Sequence, residues 1–322
     1  GSEIITTSVA DIGIVIPILY ENLIPKFSDI DPDTLNISTD LVKAKITKKT
    51  KAVIAVHLAG NPCDLDSLKE LCNENNLVLI EDFSQAHGAK WNNKKIGSFG
   101  HISYGSFQQS KQITCGEGGV ILTNDDYLKR RAFIGVDKAW QRELPLEERF
   151  YEFLAPNVRF NALQAAVLRP QIRRLDLIVN RKREIAESFS KKLKDFSEFV
   201  KPQKILTHGY HSHYSYPLIA RDNNTRDRIV NLLNTKYNMY CAKGYANPVP
   251  LYQCVKPLMD PKKFGKGFKY SKENYPQGTC PNAEEVLKKS FLIPFNENYS
   301  NTDVSEILDR LVATISNVSN SP

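Results

Sequence analysis

Four side chains could do chemistry if the fold brings them together: Asp82, Gln85, Ser106 and Lys111. Asp82 closes the apolar run LVLIED (77–82), and Ser106 stands near the end of HISYGSF (101–107). Lys111 follows in SFQQSKQITCGEGG (106–119), just before a glycine-rich turn. A neutral lysine amine can form a Schiff base with a carbonyl. An aspartate that stays ionised can hold a pyridine nitrogen protonated and make the ring an electron sink. A serine hydroxyl beside backbone N–H groups can bind phosphate. Together these are the protein-side needs of pyridoxal phosphate. Taken singly, each residue has a plainer reading. The chain carries 43 Lys and Arg residues, and an acid at a strand end is often a helix cap or an ion-pair partner.

The elements around these residues read as an α/β fold. KAVIAVHLAG (51–60) has the pattern of a buried strand. DLDSLKELCNENN (64–76) follows as a helix, with Asp64 as N-cap and Leu65, Leu68, Leu71 and Cys72 on one face. With LVLIED next, this is a strand–helix–strand unit, which calls for a mostly parallel sheet with helices on both faces. EIITT (3–7), a helix over 11–21 and LIPKFSDID (23–31) make a second unit; 101–107 and 119–125 add two short strands. Ligands of such sheets bind beyond the carboxyl ends of the strands, where Asp82 and Ser106 lie.

Near residue 160 the pattern changes to one long helical period over 161–196, with Pro170 as a kink. A helix of this length suits a connection between lobes. The expected division is a large cofactor-binding domain over 1–165, then the long helix and a smaller α+β lobe over 166–322. Within the latter, 210–220 reads as a strand, 227–237 as a helix, 291–295 as a strand and 303–315 as a closing helix, with a loop-rich stretch to about 281.

Composition narrows the class. The chain has 322 residues, 41% of them hydrophobic and 25% charged, as in an ordinary globular protein. No apolar run approaches the ~20 residues of a membrane span, and the N-terminus does not have the form of a signal peptide. Six cysteines form no CxxC pair, so reduced thiols in a cytoplasmic protein are expected. The net charge is +7, partly clustered between Arg169 and Lys194. Asp176, Glu184 and Glu187 break that cluster, so it reads as a solvated helix face rather than a nucleic-acid surface; attraction of a phosphorylated ligand is a third reading.

The motifs resemble the DegT/DnrJ/EryC1/StrS family of sugar aminotransferases, fold-type-I pyridoxal-phosphate enzymes. The resemblance runs through FSDIDPDTLNIS (27–38), AVHLAGNPCDLDSL (55–68), LIEDFSQAHGA (79–89), GSFGHISYGSFQQSKQITCGEGGVILTND (97–125) and NVRFNALQAAVLRPQI (157–172). It implies roles for single residues. Lys111 matches the Schiff-base lysine and proton shuttle, and Asp82 the partner of the pyridine nitrogen. Gln85 matches the contact to the ring hydroxyl, and Ser106 a phosphate ligand. Asn157 matches an asparagine that reaches across a homodimer to the partner's cofactor. A related group of dehydratases carries histidine in place of this lysine, so Lys111 favours transamination. The paired Gln108 and Gln109 resemble aminotransferases acting on keto-cyclitols. The expected reaction moves an amino group from glutamate or glutamine to a keto-sugar or keto-cyclitol. The rival expectation is a truncated relative that keeps the fold and binds without catalysing.

Two departures from the family pattern stand out. Relatives carry a further segment, with a Gly-Ser/Thr pair at a helix N-terminus, before the strand that EIITT matches. Part of the phosphate site is therefore expected upstream of Gly1, with Gly1-Ser2 a cloning remnant. At 6–13, where relatives place an aromatic on the cofactor ring, this chain has Asp11, which reads as a substrate-facing group or a helix N-cap.

Three histidines are further candidates for the substrate wall. His57 ends a strand facing the crevice, where a structural hydrogen bond is the alternative, and His87 follows Gln85 in QAHG. In HGYHSHY (208–214), His211 and His213 would share a strand face, with His213 near the substrate; a metal is not expected there. Cys115 reads as a packing residue. GYANPVPLYQCVKP (244–257) reads as a substrate-gating loop or a packed surface loop.

Overall fold

Strands rich in Ile, Val and Ala build the sheet beneath the site, as their branched side chains favour a pleated, buried surface. A computed structural model describes residues 1–319 of the chain. In chain order the first strands are β1 (Glu3–Thr7), β2 (Ile24–Ser28), β3 (Thr50–Val56), β4 (Val78–Asp82), the short β5 (Lys90–Trp91) and β6 (Lys94–Lys95), β7 (Ile102–Ser106) and β8 (Gly119–Leu122). Six of them form one sheet in the order β2-β1-β3-β4-β7-β8. All its pairings are parallel except the last, where β8 returns antiparallel to β7. The turn between β7 and β8 carries Lys111.

The helices of this half are α1 (Ile16–Tyr20), α2 (Thr39–Lys43), α3 (Leu65–Glu74) and α4 (Asp126–Gly135). Asp64 caps α3 by accepting from Ser67 N–H, and Leu65, Leu68, Leu71 and Cys72 are its buried face. The helix expected over 11–21 is broken. Asp11 caps a 3₁₀ turn (Ile12–Ile14) through Gly13 N–H, and α1 starts afresh with Pro17 in its first turn. Proline fits there because its missing N–H would be unpaired anyway.

The long period of 161–196 forms two helices, α5 (Ala162–Arg173) and α6 (Leu175–Leu193), which meet at Arg174. Pro170 stays inside α5 and is not the break. The buried partners change only further along α6. Leu168 and Ile178 pack with Phe107 and Ile113 beside the site. Ile185, Phe189 and Leu193 pack instead on the second sheet.

That sheet comprises β9 (Val200–Pro202), β11 (Pro217–Ala220), β12 (Ala242–Lys243) and β13 (Ser290–Leu292), in the order β12-β13-β11-β9; the short β10 (Gly209–Tyr210) pairs with β5 instead. A continuous strand over 210–220 does not form. Residues 211–216 lie between β10 and β11, and His213 has φ 51°. Here the backbone presses on Gly60, where a Cβ would stand 2.7 Å from Ser212 Oγ and 2.8 Å from His213 N. Helix α7 (Asn223–Thr235) covers this sheet with the closing helix Asn301–Ser319. The loop-rich stretch is well packed: Tyr245, Leu251, Tyr252, Tyr270 and Tyr275 join Ile4, Phe27 and Val56 in one core.

Successive residues of β4 point to opposite faces. Glu81 is fully buried and accepts from the N–H groups of Gly97, Phe99 and Gly100 at 2.7, 2.7 and 2.6 Å. His57 Nε2 lies 3.4 Å from its other side. Burial pushes this carboxyl up, but His57 and the backbone donors outweigh it, and the net direction is down. A carboxyl depressed in the folded state contributes stability above its unfolded pKa and loses it as pH falls through the folded value. Glu81→Gln is therefore expected to cost about 1–3 kcal/mol near neutrality. It should also flatten the acid limb of stability below the ordinary carboxylate range, as read by urea unfolding across pH.

Candidate active site

Asp82, the last residue of β4, is 4% exposed. Its Oδ1 accepts from Ser84 N–H at 2.9 Å, and the Tyr104 hydroxyl also bonds to the carboxylate. Burial pushes the Asp82 carboxyl up despite these donors. No cation among the described residues forms an ion pair with it. A buried carboxylate with neutral donors alone is one that a cationic ring N–H would complete.

Asp82, Gln85, Ser106 and Lys111 all line one cavity of about 260 Å³. Its remaining wall is mostly small, with Ala10, Gly13, Gly105 and Gly118, which leaves room for a flat ring. Ser106 Oγ, at the end of β7, accepts from Gln108 N–H at 3.2 Å. Lys111 N–H bonds to Gln108 O at 2.9 Å, closing a tight turn, and its Nζ lies 5.3 Å from the centre of the Tyr214 ring. The glycine-rich turn behind it needs Gly118: φ is +157°, and a Cβ there would stand 2.5 Å from the Phe160 ring. Gln85 Oε1 accepts from Ala59 N–H at 3.0 Å and from the Tyr245 hydroxyl at 2.6 Å.

Asp11, Gln85, Ser106 and Lys111 also line a larger cleft of about 1200 Å³. Its walls carry many carboxamides, among them Gln108, Gln109, Gln112, Gln171, Asn247 and Asn296. Lys182 Nζ pairs there with Glu297 at 3.4 Å. Asp11 caps its own turn, as the N-cap reading expects, and its exposed side chain borders the cleft.

The three histidines expected on the substrate wall lie off both cavities. His57 is fully buried; its Nδ1 accepts from Cys63 N–H at 3.1 Å and its Nε2 faces Glu81. Its side chain lies on the Glu81 side of the sheet, so the structural hydrogen bond is what forms. His87 bonds through Nε2 to Ser106 O at 2.8 Å and stacks on Phe107, bracing the strand end from behind. His213 stacks on His211 at 3.9 Å between ring centres and packs toward Tyr216 and Phe295. Burial holds both imidazoles below the usual range, His213 to about 3, so they are neutral packing rings. No cluster of metal-ligating side chains is present among the described residues. Asn157 is exposed on the surface away from the cleft, where its Oδ1 accepts from Arg159 Nε. Burial pushes the Cys115 thiol up, which suits a packing residue. Tyr214, Lys182, Tyr245 and Glu297 are site residues that sequence patterns did not single out.

A mostly parallel sheet with an acid, a carboxamide, a hydroxyl and an amine around one small cavity at its carboxyl edge defines a pyridoxal-phosphate transferase fold. Comparison with known proteins agrees. The model of the DegT/DnrJ/EryC1/StrS aminotransferase family matches residues 1–312, and the chain belongs to that family. It is 34% identical over 238 residues to GDP-perosamine synthase of Escherichia coli O157:H7, covering 73% of this chain and 63% of that protein. It is 37% identical over 211 residues to L-glutamine:2-deoxy-scyllo-inosose aminotransferase of Streptomyces kanamyceticus, covering 63% and 49%. The matches thus span less than two thirds of these relatives' length. The crystal structure of an aminotransferase from Psychrobacter cryohalolentis superposes with a TM-score of 0.88 at 26% identity, over 99% of this chain and 82% of that one.

Proposed function

We propose that the protein is an aminotransferase that moves an amino group from glutamate or glutamine to a keto-sugar or keto-cyclitol. The observation that carries this reading is the convergence of Asp82, Gln85, Ser106 and Lys111 on one cavity. Pyridoxal phosphate, when bound, supplies the electron sink through which an amine leaves one carbon and is given to another. Asp82 would hold the proton on the ring nitrogen. Gln85 would donate to the ring hydroxyl, and Ser106 Oγ to the phosphate. Lys111 Nζ would carry the cofactor covalently, and would take and return the proton at the substrate carbon.

The carboxamides of the cleft suit an acceptor rich in hydroxyls, since each offers both a donor and an acceptor. One relative is named for GDP-perosamine, another for L-glutamine and 2-deoxy-scyllo-inosose, which supports a sugar or cyclitol acceptor. A homodimer is supported by the surface around Asn157. Ile121, Leu122, Phe133, Val158 and Leu163 are exposed there, and a depression of about 1180 Å³ is lined by several of them. Among the described residues no helix is long and apolar enough to cross a membrane. All six cysteines are free, which supports a reducing, cytoplasmic setting.

The chain mixed with pyridoxal phosphate is expected to develop a visible absorption band that L-glutamate or L-glutamine bleaches and a keto-cyclitol or nucleotide-linked keto-sugar restores. A band that no amino donor bleaches would overturn the aminotransferase reading. A folded chain that develops no band would favour the non-catalytic alternative.

A further inference from the structure

Gln85 enters its cavity with its oxygen already engaged by two donors. A backbone N–H can only donate, so the Ala59 contact at 3.0 Å fixes which end of the amide is oxygen. The Tyr245 hydroxyl, 2.6 Å from that same oxygen, must then donate to it. Ser215 Oγ in turn donates to the Tyr245 hydroxyl at 3.2 Å. Tyr245 is fully enclosed, and burial pushes its phenol far up, so it keeps its proton. What remains for Gln85 to offer the cavity is its NH₂ group.

We propose that Tyr245 is a positioning residue for the cofactor site: by holding the oxygen of Gln85, it aims the amide N–H groups at the ring hydroxyl of pyridoxal phosphate. The inference rests on the cofactor reading above. The backbone supports it independently. Ala59 has φ 61°, a left-handed conformation that few non-glycine residues adopt, and it is the turn built there that presents its N–H to Gln85. Tyr245 sits between Gly244 (φ 79°) and Ala246 (φ 56°), so its turn too is held in an uncommon shape. Ala246 and Asn247, the next two residues, line the large cleft. The segment that meets the substrate therefore also orients the group that meets the cofactor.

A donor to the ring oxygen would disperse the charge there, and the Lys111 nitrogen, once joined to the cofactor, would then give up its proton more readily. Weakening the donor makes that proton harder to remove. In the full chain loaded with pyridoxal phosphate, Tyr245→Phe is expected to raise the pH midpoint of the visible band by about half to one unit. In a Gln85→Ala background the same change should add nothing, because Tyr245 acts through Gln85. Ser215→Ala should shift the midpoint less and in the same direction, and it carries the test if Tyr245→Phe does not fold. An unmoved midpoint, or an equal shift in both backgrounds, would overturn the inference. The cofactor reading is judged separately, on the wild-type band: its absence overturns both, whereas a wild-type band with no variant shift overturns the positioning role alone.

Discussion

Lys111→Ala should abolish both the visible band and the reaction with an amino donor, while leaving the fold in place. Lys111 lies in a solvent-accessible turn and its Nζ makes an aromatic contact with Tyr214, so little packing depends on it. On the proposed role, removing the amine would remove the covalent hold on the cofactor and the base at the substrate carbon, and among the described residues no other lysine lines the small cavity. Lys111→Arg separates the two properties of the side chain. It keeps the charge and most of the length, yet it has no amine of accessible pKa, and it should be as inactive as the alanine variant. Absorbance and a coupled assay for the keto acid released from the donor read both effects. Turnover surviving in either variant would remove Lys111 from the chemistry.

Asp82→Asn is expected to slow the donor half-reaction roughly 100- to 1000-fold, because a neutral amide cannot hold a ring nitrogen in its cationic form. The same change should stabilise the protein in the absence of cofactor. A carboxyl whose pKa is raised by folding binds its proton more tightly when folded. Its ionised form therefore costs stability, fully above the folded pKa, and the cost disappears as pH falls below the unfolded value. At neutral pH the amide removes that cost and can still accept from Ser84 N–H. Melting of the cofactor-free variant about 2–4 °C above wild type would be the signature. A variant that is both active and no more stable would show that Asp82 is an ordinary strand-end cap.

The floor of the site was legible because it follows local rules. Asp82 and Ser106 end apolar runs, Lys111 precedes glycines, and strand ends are where α/β sheets bind ligands. Tyr245 was not legible. It contacts Gln85 across 160 residues of chain, through the packing of a loop whose composition announces no regular element. His57 had two readings until its neighbours were known: a strand-end histidine looks the same in sequence whether it faces a crevice or Glu81. The stretch 210–220 has the aromatic content of a strand, yet the close approach to Gly60 bends it out of one. Pro170 is a reminder that a residue able to kink a helix need not be where the helix breaks; the break falls at Arg174.

The floor and the walls of the cleft are carried by different parts of the chain. Asp82 and Ser106 are fixed by the ladder of β4 and β7, with Lys111 on the turn that follows. The walls come from the edge near Asp11, the junction of α5 and α6, the approach to β11, the turn after Gly244 and the loop after β13. These segments are separate in the chain, although the edge near Asp11 and the turn after Gly244 share one core. Such a division gives the architecture a kind of interchangeability: a wall segment can be redrawn to admit a differently shaped acceptor without moving the ladder beneath. On the proposed function, the acceptor would be selected by wall side chains that never touch the bond being made.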